Sequence, residues 1–197
     1  IGLDNVDLLA ARRLGIAVSY TPDAPAPAVA ELTVGFMYSL TRHVHESNIK
    51  MHQGNWHRFF GKRLVNCRIG VIGMGRIGCM VLKHLKALGC SEVLYNDIEQ
   101  LKLDDSIHIE GIRFAEKEEI YQSSDIISLH VPLTSQTKNM ITEKEIATMR
   151  DGVFLINTSR GGIINESDLF NALDCSKVAG AAIDVFEDEP YYGDLAK

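Results

Sequence analysis

A chain of 197 residues, 46% hydrophobic and 23% charged, can bury one substantial core or one core with an appendage. A net charge of -6, with Arg12-Arg13 and Lys62-Arg63 as isolated basic pairs, argues against a nucleic-acid surface, and no apolar stretch is long enough to span a bilayer. Cys67, Cys79, Cys90 and Cys175 lack CxxC spacing, so they read as reduced structural thiols of a cytoplasmic protein.

The chain opens Ile1-Gly2-Leu3-Asp4 without a methionine and reads as a piece of a longer protein. Asn5 is placed to cap a short helix running through Leu14, with Gly15 as its stop. A strand is expected over Ile16–Tyr20. Pro22, Pro25 and Pro27 then interrupt regular structure and mark the expected domain boundary. From about Ala28 to His52 the spacing predicts one long helix, with Val29, Leu32, Thr33, Phe36, Met37 and Leu40 at helical intervals. Val34, Tyr38 and Ile49 fall on other faces, so the helix is apolar over much of its circumference and is expected to be buried on several sides. A polar and aromatic loop around Trp56 follows.

From Cys67 onward the pattern alternates between short apolar strands and amphipathic helices. Strands are expected at Arg68–Ile72, Val93–Asn96, Ile112–Phe114, Ile126–Val131, Val153–Asn157 and Val178–Ile183. Helices are expected at Ile77–Leu88, Glu116–Gln122, Glu143–Met149 and Glu166–Leu173. Nearly continuous apolar strands suit an α/β fold with a doubly wound parallel sheet covered on both faces.

The first strand runs into Gly73-Met74-Gly75-Arg76-Ile77-Gly78, and the second ends at Asp97. A glycine fingerprint after a strand, before a helix, with an acid about twenty residues on is the pattern of a dinucleotide-binding βαβ unit. Gly73 allows the tight turn, Gly75 lets backbone approach a pyrophosphate, and Gly78 allows close packing of helix and strand. The helix starting near Arg76 and Ile77 turns its N-terminal N–H groups toward phosphate. Asp97 can accept from both ribose hydroxyls and repels a 2′-phosphate, which points to NAD rather than NADP.

Three polar segments sit at the carboxyl ends of later strands, where ligands bind in open α/β sheets. They are His130-Val131-Pro132, Asn157-Thr158-Ser159-Arg160-Gly161-Gly162 and the stretch from Asp184 to Glu189-Pro190. With the glycine turn and Asp97, this ordered set closely resembles the D-isomer-specific 2-hydroxyacid dehydrogenases, phosphoglycerate-dehydrogenase-like members above all. The resemblance runs from Gly2 to Pro190. It implies that Arg160 is the catalytic arginine, a guanidinium fork suited to an α-keto acid carboxylate. It implies that Glu189 pairs with a catalytic histidine, which lies beyond this chain. Asp184 would meet the nicotinamide carboxamide, and Thr158 and Ser159 the nicotinamide ribose. His130, Val131 and Pro132 would wall the cofactor, and Thr137 is a further candidate, although strand-end packing and turn capping account for these four as well.

The same resemblance implies a small 2-hydroxy or 2-keto acid substrate and a homodimer formed through the cofactor domain by the 28–52 helix and the Trp56 loop. Residues 1–22 would be the remnant of a substrate domain and 23–197 the NAD-binding domain, with Gly2–Asp4 near the substrate carboxylate. Without the histidine, the fragment is expected to bind NAD and not to turn over. The alternative is an NAD-sensing protein like the transcriptional corepressors that share the fold. An S-adenosyl-methionine methyltransferase fits less well, because such enzymes seldom carry the Arg160 and Glu189 segments together. His43, His45, His52 and His57 lack carboxylate or thiol partners at ligand spacing, so no metal is expected.

Overall fold

The computed structural model describes residues 2, 3, 6–21, 23–98 and 111–196. Helix α1 spans Leu8–Arg13 and is capped by Asp7, whose carboxylate accepts the Ala10 N–H at 2.8 Å. Asn5, the expected cap, lies outside the described residues. The strand expected at Ile16–Tyr20 does not form. The segment is exposed and without regular structure, and among the described residues no strand pairs with its β-rich sequence.

The expected 28–52 helix is two helices, α2 (Ala26–Thr41) and α3 (Val44–His52). His43 separates them in a left-handed conformation, φ 53°, with its ring stacked on Phe59 at 5.1 Å and bonded to Glu46 at 3.1 Å. Pro25 and Pro27 begin α2 rather than break it, because first-turn positions need no intrahelical N–H bond.

Among the described residues six strands follow: β1 (Ile69–Ile72), β2 (Val93–Asn96), β3 (Ile112–Phe114), β4 (Ile126–Leu129), β5 (Val153–Asn157) and β6 (Val178–Ile183). They pair in parallel in the order 3-2-1-4-5-6. Between them run α4 (Arg76–Ala87), α5 (Lys117–Ser123), α6 (Glu143–Thr148) and α7 (Glu166–Asp174). β4 stops two residues short of the expected end, which leaves His130 and Val131 in the loop at its tip.

Side-chain alternation along the strands builds two cores. Ile69, Val71, Val93 and Tyr95 face a layer with Ala30 and Met37 of α2 and Val81, Leu82 and Leu85 of α4. Ile72, Leu94, Ile127 and Leu129 face the opposite layer, with Ile120 of α5, Ile146 of α6 and Leu169 of α7. Each fully buried aliphatic side chain stabilises the fold by roughly 1.5–3 kcal/mol. The order reverses at β1 and β4, so their carboxyl ends diverge and open a crevice.

Candidate active site

The crevice is shaped first by the turn from β1 into α4. Gly73 has φ 97°, and a Cβ there would lie 2.5 Å from the carbonyl oxygen of His130 at the tip of β4. A Cβ on Gly78 would lie 1.9 Å from the carbonyl oxygen of Gly73. Turn, helix and β4 tip therefore meet at distances only glycine permits. Gly75 differs, since a Cβ there meets nothing within 4 Å. It is the N-cap of α4 and no side chain caps that helix, so the first-turn N–H groups keep their capacity for an anion. Arg76, the first helical residue, pairs with Asp23 at 2.5 Å across the mouth. Asp97 ties β2 to this turn: one carboxylate oxygen accepts the Met74 N–H at 2.5 Å, the other the Ile98 N–H at 2.7 Å.

A cleft of about 430 Å³ brings together Gly75, Arg76 and Ile77 with His130, Val131 and Pro132 and with Thr158, Ser159 and Arg160. Gly2, Tyr20, Pro25, Ala26 and Val29 close its other side. Gly73, Gly78 and Asp97 shape the turn from behind. Thr137, Asp184 and Glu189 do not line the cleft. Thr137 donates to the Pro132 carbonyl at 2.5 Å and accepts the Thr134 N–H at 2.8 Å, a turn clamp beneath the cleft wall.

Asn157 organises the loop after β5. Its side-chain oxygen accepts the Ser159 N–H at 3.1 Å and the Ser159 hydroxyl at 2.7 Å, while its amide nitrogen donates to the Arg160 carbonyl at 2.8 Å. Arg160 Nη1 donates to the Ser159 carbonyl at 2.6 Å. A Cβ on Gly161 would lie 2.0 Å from the Phe186 carbonyl, so the arginine loop is braced directly on the segment after β6. In that segment the Asp184 N–H donates to the Asn157 carbonyl at 3.0 Å, and Glu189 accepts the Phe186 N–H at 3.0 Å. The Asp184 side chain is exposed; partial desolvation, then the nearby Glu189 charge, raises its pKa above the ordinary carboxylate value.

Among the described residues His130 is the one histidine lining the cleft. Its Nε2 bonds the buried Ser128 hydroxyl at 2.8 Å, and its buried Nδ1 has no partner among the described residues. Burial pushes its pKa down to about 4, so the ring is neutral at pH 7. It is therefore a poor proton donor for neutral-pH chemistry, and its orphaned nitrogen is available to a polar ligand atom.

An open-faced glycine at an uncapped helix start, a neighbouring acid and an unpartnered buried imidazole fit a dinucleotide. On a 3-2-1-4-5-6 parallel sheet they define a dinucleotide-binding Rossmann domain. Comparison with known proteins narrows the class. The family model described as "D-isomer specific 2-hydroxyacid dehydrogenase, NAD binding domain" matches residues 34–196. Hydroxypyruvate reductase of Thermotoga maritima is 40% identical over 192 residues, covering 96% of this chain and 61% of that protein. D-3-phosphoglycerate dehydrogenase of Methanocaldococcus jannaschii is 38% identical over 192 residues, covering 96% of this chain and 36% of that protein. The crystal structure of D-lactate dehydrogenase from Aquifex aeolicus, complexed with NAD and lactic acid, superposes with a TM-score of 0.83 at 33% identity, covering 99% of this chain and 61% of that one. The chain belongs to the D-isomer-specific 2-hydroxyacid dehydrogenase family and carries its NAD-binding domain, while spanning less than two thirds of these relatives' length.

Sequence reasoning named most of the cleft but missed Tyr20, Pro25, Ala26 and Val29, which reach it only through the path of the segment before α2. Among the described residues no group of histidine, cysteine and carboxylate side chains is arranged to hold a metal, and no helix is long and apolar enough to cross a membrane.

Proposed function

We propose that this chain is the cofactor-binding part of an NAD-dependent oxidoreductase interconverting a small D-2-hydroxy acid and its 2-keto acid. The observation that carries the reading is the placement of Arg160 in the same cleft as the open glycine turn. Gly75 and the α4 N-terminus hold the pyrophosphate, Asp97 the adenosine ribose, and Thr158 and Ser159 the nicotinamide ribose. His130, Val131 and Pro132 wall the cofactor, and Asp184 takes the nicotinamide carboxamide. When bound, NAD supplies the hydride acceptor. The Arg160 fork grips the substrate carboxylate and stabilises negative charge developing on the substrate oxygen. Its orientation is inherited from Asn157 and from the Gly161 contact, which limits reorganisation at the moment of reaction. Glu189 orients a proton-transferring histidine other than His130, which is buried, bonded to Ser128 and neutral.

Residues 1–22 belong to the substrate domain and 23–197 to the cofactor domain, and Gly2 in the cleft wall is supported as a contact near the substrate. Two cofactor domains pair through α2, α3 and the following loop, where Trp56 is 76% and Phe60 98% exposed. The test is turnover by the full-length protein with NADH and glyoxylate, hydroxypyruvate, pyruvate or 3-phosphohydroxypyruvate. At least one acid should be reduced, and Arg160→Gln should lower kcat/KM by about 10²–10³-fold, as for loss of a charge-stabilising donor. Undiminished activity of Arg160→Gln overturns the assignment.

A further inference from the structure

Two hydroxyls on the cleft wall have their protons committed inward, and one is committed by a residue of α2. Thr33 is fully buried, and its Oγ donates to the Val29 carbonyl at 2.8 Å. A carbonyl only accepts, so the single hydroxyl proton of Thr33 is spent there. The 3.0 Å contact between Thr33 Oγ and Thr158 Oγ is satisfied together with the Val29 bond only when Thr158 donates and Thr33 accepts.

The neighbouring hydroxyl obeys the same logic. The Asn157 amide is oriented without ambiguity, because its oxygen faces the Ser159 backbone N–H at 3.1 Å and its nitrogen the Arg160 carbonyl at 2.8 Å. Ser159 Oγ, 2.7 Å from that oxygen, is therefore also a donor into the protein. A hydroxyl has one proton and two lone pairs. The Thr158 and Ser159 hydroxyls consequently offer the cleft lone pairs only, while the adjacent Arg160 side chain offers donors only.

We propose that Thr33 is a positioning residue which, by taking the Thr158 proton, makes the 158–159 hydroxyl pair acceptor-only and selective for a hydrogen-bond donor, namely a ribose hydroxyl of the bound dinucleotide. Phosphate and carboxylate oxygens find no partner in those hydroxyls, because lone pairs would face lone pairs, and are left to Arg160 and the α4 terminus. The inference rests on the dinucleotide reading and adds to it a residue and a polarity.

The test is a fluorescence titration with NADH of wild type, Thr33→Val, Thr33→Ser, Thr158→Val and the Thr33→Val/Thr158→Val double variant. Thr33→Val should weaken NADH binding about tenfold, the scale of one hydrogen bond, while Thr33→Ser stays within about twofold of wild type. The double variant should bind like Thr158→Val alone, because Thr33 acts through Thr158. On the wild type, an NADH analogue lacking the nicotinamide-ribose hydroxyls should bind about tenfold more weakly. Additive effects, a Thr33→Ser as weak as Thr33→Val, or an analogue of equal affinity each overturn the proposal. Wild type binding NADH with Thr33→Val unchanged overturns the positioning role alone. A wild type that binds no NADH overturns the cofactor reading as well.

Discussion

Two glycines three residues apart are under opposite constraints, and Ala at each separates folding from binding. At Gly78 the new Cβ would sit 1.9 Å from the Gly73 carbonyl oxygen, against ordinary contacts of 3.4 Å or more. Backbone rather than a flexible side chain opposes it, so α4 or the turn must move by about 1.5 Å, which puts the cost at about 3 kcal/mol, the upper end for overpacking. In a domain of this size that lowers Tm by about 10 °C. Moving the helix start also displaces the N–H groups offered to phosphate, so NADH binding falls too. At Gly75 nothing lies within 4 Å of the added Cβ, and the backbone, φ -70° and ψ -163°, suits any residue. Gly75→Ala should leave Tm unchanged or raise it slightly, through a less flexible unfolded chain. Its methyl group nevertheless occupies the space a pyrophosphate needs, and binding should weaken at least tenfold, or about 1.4 kcal/mol. Thermal denaturation and NADH titration of both variants provide the readouts. A Gly75→Ala variant with wild-type affinity would refute close backbone approach by the cofactor.

Three further outcomes are expected. Asp97→Asn keeps an acceptor for the Met74 N–H but removes the charge, so NADPH should gain on NADH by about tenfold, within the usual range for one charge contact, and an unchanged ratio in competition titrations would remove Asp97 as the discriminator. His130, with a folded-state pKa near 4, binds no proton in the native state between pH 6.5 and 4 while the unfolded chain does. Stability from this group is therefore present above pH 6.5 and is lost as pH falls toward 4, by about 3 kcal/mol. Urea titrations across that range should show a correspondingly shallower decline for His130→Asn, and parallel curves would count against a buried neutral ring. Trp56→Ala combined with Phe60→Ala should convert a dimer to a monomer in sedimentation at micromolar concentration, and a wild type already monomeric there would contradict the proposed interface.

The sheet was legible because each strand is a short apolar run bounded by turn residues, and strands such as Val93–Asn96 and Val153–Asn157 fall where the pattern places them. The glycine turn was legible because its spacing is set by backbone geometry. Elsewhere local pattern and tertiary context part. Ile16–Tyr20 has strand composition, yet β-propensity yields no strand without an edge to pair with. The break at His43 has no glycine or proline to announce it; its left-handed turn coincides with the Phe59 stack and the Glu46 bond, one of which comes from a loop sixteen residues on. Thr33 reads as one more residue of an apolar stripe, and only the fold brings it to Thr158, 125 positions away. Asn157 stands within a legible motif, but its part as the clamp of the Arg160 loop is visible only in its hydrogen bonds.

Occupation of the cleft between the glycine turn and the Arg160 loop by NAD is read by titrating the purified 197-residue chain with NADH and then NADPH, following nucleotide fluorescence. Saturable NADH binding, with NADPH weaker by at least tenfold, is the expected result. Binding of neither nucleotide to a folded chain would mean that this cleft does not hold NAD.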